Sequence, residues 1–329
     1  MKDPLALDAS DPVSSFPFLD AYLSPLSAVL NRHDVTDIYI NAPGEIWVEA
    51  LGGTAERLSL PELTEERMWR LARQIASFAN QGISREHPLL SAKLPDGSRI
   101  QIVAPPATRG SMAIAIRRHV MSDLSLADYL RTGAFNEFQL GESRNRFKLP
   151  DPVSSPAEFL AGAVRAKRNI LISGGTSTGK TTFLNALLKE VPGDERLIFI
   201  EDTPELALHH ANSIGLIAAK GQMGEARIDA DDLLQASLRM RPDRIVLGEL
   251  RGSEAYTFLR AVNTGHSGSM TTIHANSASG AMEQLALIVQ ATSNLRRADI
   301  VEYVCKVVDI FVHLERINGK RCIGEIICT

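Results

Sequence analysis

Gly174-Gly175-Thr176-Ser177-Thr178-Gly179-Lys180-Thr181 fits the phosphate-binding loop pattern at every fixed position. Asn169-Ile170-Leu171-Ile172 ahead of it reads as a buried strand, and Thr182-Phe183-Leu184-Asn185-Ala186-Leu187-Leu188 behind it reads as a helix. Strand, glycine loop and helix in that order are the context in which the motif carries its chemistry. The glycines let successive backbone N–H groups close around an anion, and the helix N-terminus adds partial positive charge. Lys180 is expected to reach the β/γ-phosphates, the Thr181 hydroxyl to ligate Mg2+, and Thr182 to complete the nucleotide contacts. The stretch therefore predicts an α/β domain that binds a nucleoside triphosphate.

Around this loop the chain has room for a second domain. Its 329 residues exceed one ordinary core, and 44% apolar with 22% charged residues describes a soluble globular protein. A net charge of −4 argues against a protein that coats DNA. Cys305, Cys322 and Cys328 lack the paired spacing of a metal site and read as reduced thiols of a cytoplasmic protein. The start, Met1-Lys2-Asp3-Pro4, has no signal-peptide pattern, and no apolar run approaches the roughly 18 residues of a membrane span. Phe18, Leu19, Tyr22, Leu23, Leu26, Val29 and Leu30 recur at helical spacing around Pro25. No Lys or Arg lies in 18–30 to meet anionic lipid, so this helix is expected to pack on its own domain.

Residues 1–137 read as a smaller α+β amino-terminal domain. Asp37-Ile38-Tyr39-Ile40 and Ile46-Trp47-Val48-Glu49 flank Pro43-Gly44 as a hairpin, and 62–80 forms an amphipathic helix with Met68, Leu71, Ile75 and Phe78 on one side. A turn and strand over 94–103 and a strand over 112–117 follow. Residues 138–156, polar and carrying Pro150, Pro152 and Pro156, read as a linker. Residues 157–329 then alternate strands and helices: strands at 196–200 and 244–247, and helices at 231–240, 278–292 and 297–307. A closing hairpin turns on Asn318-Gly319.

Three further clusters follow the loop. Ile200-Glu201-Asp202-Thr203-Pro204-Glu205 offers carboxylates at a strand end, where one can orient or deprotonate a water and a second can order metal-bound water. Arg244-Ile245-Val246-Leu247-Gly248-Glu249 is an apolar strand ending in an acid, the form of a Walker B element. Thr264-Gly265-His266-Ser267-Gly268-Ser269-Met270-Thr271-Thr272-Ile273-His274 is dense in small polar residues. It lacks the last glycine of a nucleophile elbow, and its two histidines lack a helix-face metal spacing.

In this order the clusters resemble the type IV secretion traffic ATPases, the VirB-type members of the secretion-superfamily motors. The resemblance covers residue 163 to the end and extends more weakly into 94–118. It implies a RecA-like P-loop ATPase carboxyl domain, a homo-hexameric ring, and ATP with Mg2+ held between the two domains. Glu201 then falls at the Asp-box position of the catalytic base, Glu249 at the Walker B acid that supports Mg2+ and water, and His274 at the γ-phosphate sensor. Arg99 and Arg117 fall where the family's amino domain presents arginines to the nucleotide. Thr176-Ser177-Thr178 departs from the many relatives with a glycine in the middle of the loop. The cysteine quartet of type II secretion motors is absent.

The expected function is ATP hydrolysis that powers substrate translocation or pilus assembly by a type IV secretion or conjugation apparatus. Its partners would be inner-membrane and cytoplasmic components, at the cytoplasmic face of the inner membrane. The nearest alternative is a Tad or type IV pilus-assembly motor. A RecA-like nucleic-acid motor conflicts with the negative charge and the absence of aromatic–basic stripes, so no stable sequence-specific nucleic-acid binding is expected. A nucleotide-gated scaffold without turnover conflicts with the two acids, Glu201 and Glu249.

Overall fold

The computed structural model describes residues 16–118, 130–131, 149–219 and 225–329. Two sheets organise them. The first is antiparallel, in the order β3-β2-β1-β6-β5-β4, from Val35–Ile40 (β1), Glu45–Ala50 (β2), Glu56–Ser59 (β3), Leu89–Lys93 (β4), Arg99–Val103 (β5) and Ala113–Arg117 (β6). The second has the order β13-β12-β7-β11-β10-β8-β9. Its strands are Ile170–Gly174 (β7), Leu197–Glu201 (β8), Ser213–Ile217 (β9), Arg244–Leu247 (β10), Met270–Ile273 (β11), Ile310–Ile317 (β12) and Lys320–Cys328 (β13). All its neighbours pair in parallel except the β12–β13 hairpin. β7, β8, β10 and β11 are buried along their whole length, as expected of parallel strands covered by helices on both faces. The α/β class read from the sequence is the class observed.

Period-two alternation explains how the sheets meet. In β6, Ile114 and Ile116 point with Ile38 and Ile40 into a core under the helix Glu65–Phe78. Ala113 and Ala115, with Tyr39 and Val103, face the other way and join the core of the second sheet. Small residues on that face let the two layers approach closely. The first helix of the chain, Pro17–Leu23, packs on Glu65–Phe78, as the sequence expectation has it.

A polar seam also joins the layers. Arg196, immediately before β8, lies 4.0 Å over the Tyr39 ring and donates to Asn41 Oδ1 (3.0 Å), Asn212 Oδ1 (2.5 Å) and the Met240 carbonyl (3.1 Å). Tyr39 donates to Glu49 Oε2 (2.6 Å), and Arg241 donates to Glu49 Oε1 (3.0 Å). Burial lowers the Arg196 pKa to about 10, against the pull of Tyr39 and the surrounding carboxylates.

Several elements differ from the sequence reading. The helix Pro156–Arg165 begins inside the expected linker, with Pro156 in its first turn, where a missing N–H is harmless. Within that linker, residues 138–148 lie outside the described residues. β3, β4, β9 and the helix Glu254–Asn263 are additional, and β11 runs through the third polar cluster.

Candidate functional site

The phosphate loop leaves β7 and enters the helix Lys180–Leu188. Gly174 has φ 159°, and a Cβ there would lie 2.5 Å from Thr178 Oγ1 and 2.6 Å from the Leu314 carbonyl. Gly179 caps the helix at φ 92°, a left-handed conformation that glycine adopts without penalty. Ser177 at φ 61° occupies the same region with a side chain. A side chain in this region is strained where glycine is not.

Lys180 curls over its own loop, its Nζ donating to the carbonyls of Gly174 (3.0 Å) and Gly175 (3.2 Å) and standing 3.3 Å from His274 Nδ1. Burial lowers the ammonium pKa, and the charge of Glu249 opposes that shift. Since an ammonium only donates, His274 accepts at Nδ1 and carries its proton on Nε2, which sits 2.9 Å from Glu249 Oε1. Glu249 also receives Arg251, which lies 3.2 Å from Asp202 as well. Lys180, His274 and Glu249 thus form one chain across the carboxyl ends of β7, β11 and β10, where ligands sit in open α/β sheets. They border a cleft of about 460 Å³ that also takes in residues 176–182, Asp202, Glu205 and Arg321.

On the other wall the Thr181 hydroxyl donates to Glu205 Oε2 at 3.0 Å. Among the described residues no group of three or more His, Cys, Asp or Glu side chains could hold a metal by itself. Mg2+ takes one or two protein oxygens and completes its shell with phosphates and water. The Thr181 hydroxyl and the Glu205 and Glu249 carboxylates supply oxygens of the right hardness.

Glu201, which the resemblance places at the catalytic-base position, lines the cleft. It is only 5% exposed: Oε1 accepts from the backbone N–H groups of Glu205 and Leu206, both at 2.9 Å, and Oε2 pairs with the Arg109 guanidinium. These contacts hold the Glu201 carboxylate in one orientation. Glu249 lines the cleft as well, beside His274 and Arg251. Arg99 and Arg117 face each other across β5 and β6, exposed, with Arg117 Nε 4.0 Å from Asp37 Oδ1. Neither lines the cleft, whose lining among the described residues comes from 176–321. Arg109 and Arg321 escape the sequence reading. One lies on an irregular loop, and the other passes for an ordinary charge on a hairpin.

The chain matches the family described as "Type II/IV secretion system protein" over residues 21–313. It is 37% identical over 324 residues to the type IV secretion system protein VirB11 of Bartonella henselae, covering 92% of this chain and 91% of that one. The type IV secretion system protein PtlH of Bordetella pertussis is 39% identical over 314 residues, at 92% and 91% coverage. Among solved structures, the VirB11 ATPase of the Brucella suis type IV secretion system, in complex with sulphate, superposes with a TM-score of 0.84 at 35% identity, covering 95% of both chains.

Proposed function

The chain belongs to the type II/IV secretion system protein family as a VirB11-type ATPase, and on that premise we propose that it hydrolyses Mg-ATP in a homo-hexameric ring to power translocation by a type IV secretion apparatus. The observation that carries the reading is the Lys180–His274–Glu249 chain laid across the phosphate loop. The loop N–H groups and the helix N-terminus bind the phosphates, and Lys180 swings from its loop carbonyls to the β/γ-phosphates. There its charge counters the negative charge that migrates in the transition state. Thr181 would hold Mg2+, with Glu205 and Glu249 ordering its water, and the ion would supply charge neutralisation at the phosphate oxygens. Glu249 orients the attacking water, and His274, hydrogen-bonded to Lys180 and 2.9 Å from Glu249 Oε1, responds to the γ-phosphate.

Arg99 and Arg117 stand outside their own chain's cleft, so a nucleotide role for them requires a neighbouring copy. Heterologous contacts that close on themselves give a ring of defined size. Among the described residues no helix is long and apolar enough to cross a membrane, and attachment to inner-membrane components of the apparatus is by docking at the cytoplasmic face. The test is phosphate release together with mass by light scattering, with and without a non-hydrolysable ATP analogue. Mixing Lys180→Ala with Arg117→Ala chains should restore part of the activity that each lacks alone. A strict monomer with full turnover would overturn the ring.

A further inference from the structure

The buried pair between Arg109 and Glu201 links the first sheet to the acid loop of the cleft. Arg109 lies on the connection from β5 to β6, which reaches across to β9. Its backbone N–H donates to the Gly215 carbonyl (2.9 Å), Thr108 bridges to Leu216, and the Ile217 N–H donates to the Ala107 carbonyl (2.9 Å). The side chain then runs over Gly215, where a Cβ would sit 2.7 Å from Arg109 Cγ, so only glycine leaves it room. At its end the guanidinium meets Glu201 Oε2 and donates to the Leu206 carbonyl at 2.6 Å. Glu201 holds the Glu205 and Leu206 N–H groups, and Asn185 braces the same segment through Glu205 O (3.3 Å) and Ala207 N (2.8 Å). The Glu205 side chain reaches Thr181.

We propose that Arg109 is a positioning residue for the cleft: through Glu201 it fixes the segment 202–206 and thereby the placement of the Glu205 carboxylate against Thr181. The contacts are directional. Arg109 grips the segment at Leu206 O while orienting the carboxylate that grips it at two N–H groups, and a planar guanidinium supplies both bonds at once. Since Arg109 belongs to the first sheet, a shift of that sheet relative to β8 and β9 moves Glu205 relative to the phosphate loop. The proposal rests on the reading of the cleft as an ATP-hydrolysing site.

The experiment compares wild type with Arg109→Gln, Gly215→Ala and Arg109→Lys. In nucleotide-free protein, amide hydrogen exchange of the 202–208 segment should quicken about tenfold in Arg109→Gln and Gly215→Ala, with 174–188 unchanged. In steady state kcat should fall about 10- to 100-fold, as for other groups that orient a metal's surroundings, with KM for ATP nearly constant and the half-saturating Mg2+ concentration raised. Arg109→Lys should retain an intermediate kcat, and Arg109→Gln/Glu201→Gln should lose no more than the worse single variant. Arg109→Gln with kcat within about twofold of wild type, or with 202–208 as protected as before, overturns the proposal. A wild-type chain without turnover overturns the ATPase reading instead, and the exchange data still decide whether Arg109 holds the acid segment.

Discussion

Lys180→Ala separates a binding residue from a structural one. In the fold, Lys180 Nζ makes two bonds to loop carbonyls at 3.0 and 3.2 Å, each worth about 1 kcal/mol net. Against them stand the desolvation that lowers its pKa and its place as the first residue of the helix Lys180–Leu188. A cation there meets the positive end of the helix dipole, at a cost of about 0.3–1 kcal/mol. Alanine is the better helix former. The terms nearly cancel, so the melting temperature should move by no more than a few degrees. On binding, Lys180 exchanges these loop bonds for the phosphates, and the charge-assisted contact is the stronger. Losing a charge-assisted contact to phosphate removes about 1.5–3 kcal/mol, roughly ten- to a hundredfold in affinity. Turnover should fall further, because the phosphoryl charge grows toward the transition state. Titration of a fluorescent ATP analogue, phosphate release and thermal melts on one preparation measure all three. A folded Lys180→Ala protein with wild-type turnover would refute the assignment, and one that melts far lower would refute the balance of terms.

Three further outcomes are expected. Ser177→Gly relieves a left-handed φ of 61°. A relief of about 1–2 kcal/mol, less the 0.5–1 that glycine costs through the unfolded chain, leaves a gain of between about 0 and 1.5 kcal/mol in urea unfolding; a loss of stability would refute the strain. His266 is held by burial below its ordinary pKa of 6.5, so the stability it contributes is complete above that pH and lost as pH falls below it. Melts between pH 7.5 and 5 should show a decline that His266→Gln flattens. Asp37 is raised above its ordinary 3.8, chiefly by burial and then by Glu49, so its charged form opposes folding at neutral pH. Asp37→Asn should melt higher at pH 7, with the gap to wild type closing as pH approaches 4.

Legibility in the sequence followed how local the signal was. The phosphate loop, β10 and the Asn318-Gly319 hairpin each announce themselves within about ten residues, through glycine spacing, an apolar run and a turn dipeptide. β11 did not, because Thr271 and Thr272 make it read as a polar loop. Both are buried, and Thr272 Oγ1 donates to the Gly248 carbonyl at 2.8 Å, a partner that only the folded sheet supplies. β9 is broken by Gly215, whose missing side chain is explained by Arg109, distant in sequence. The helix Glu254–Asn263 is opened by its own first residue, Glu254 Oε1 accepting from the N–H groups of Arg251 and Gly252. That resembles no standard cap on paper. In the cleft, residue types were legible while partnerships were not. Glu201 and Glu249 both read as acids after apolar strands, and their different partners, Arg109 with two N–H groups for one and His274 with Arg251 for the other, come from residues distant in sequence.

The arrangement of the first sheet changes how nucleotide state could move this chain. Within one chain it is no lid, since the cleft's lining among the described residues comes from 176–321. It holds β8 at both ends instead: Tyr39 and Asn41 take Arg196 just before the strand, and Arg109 takes Glu201, its last residue. A buried polar network with each contact directional fixes orientation more than it adds stability, because dehydrating such groups offsets most of the attraction. Removing one partner leaves the other buried and unpaired, so the seam has few intermediate arrangements. β8 also pairs with β10, so what the first sheet can move is the loop after β8 that carries Glu205. The position of Glu205 relative to the helix Lys180–Leu188 is the coordinate of that motion. A contact that depends on the γ-phosphate and spans it, with Lys180 and Thr181 on one side and Glu205 on the other, is the differential interaction that a conformational change requires.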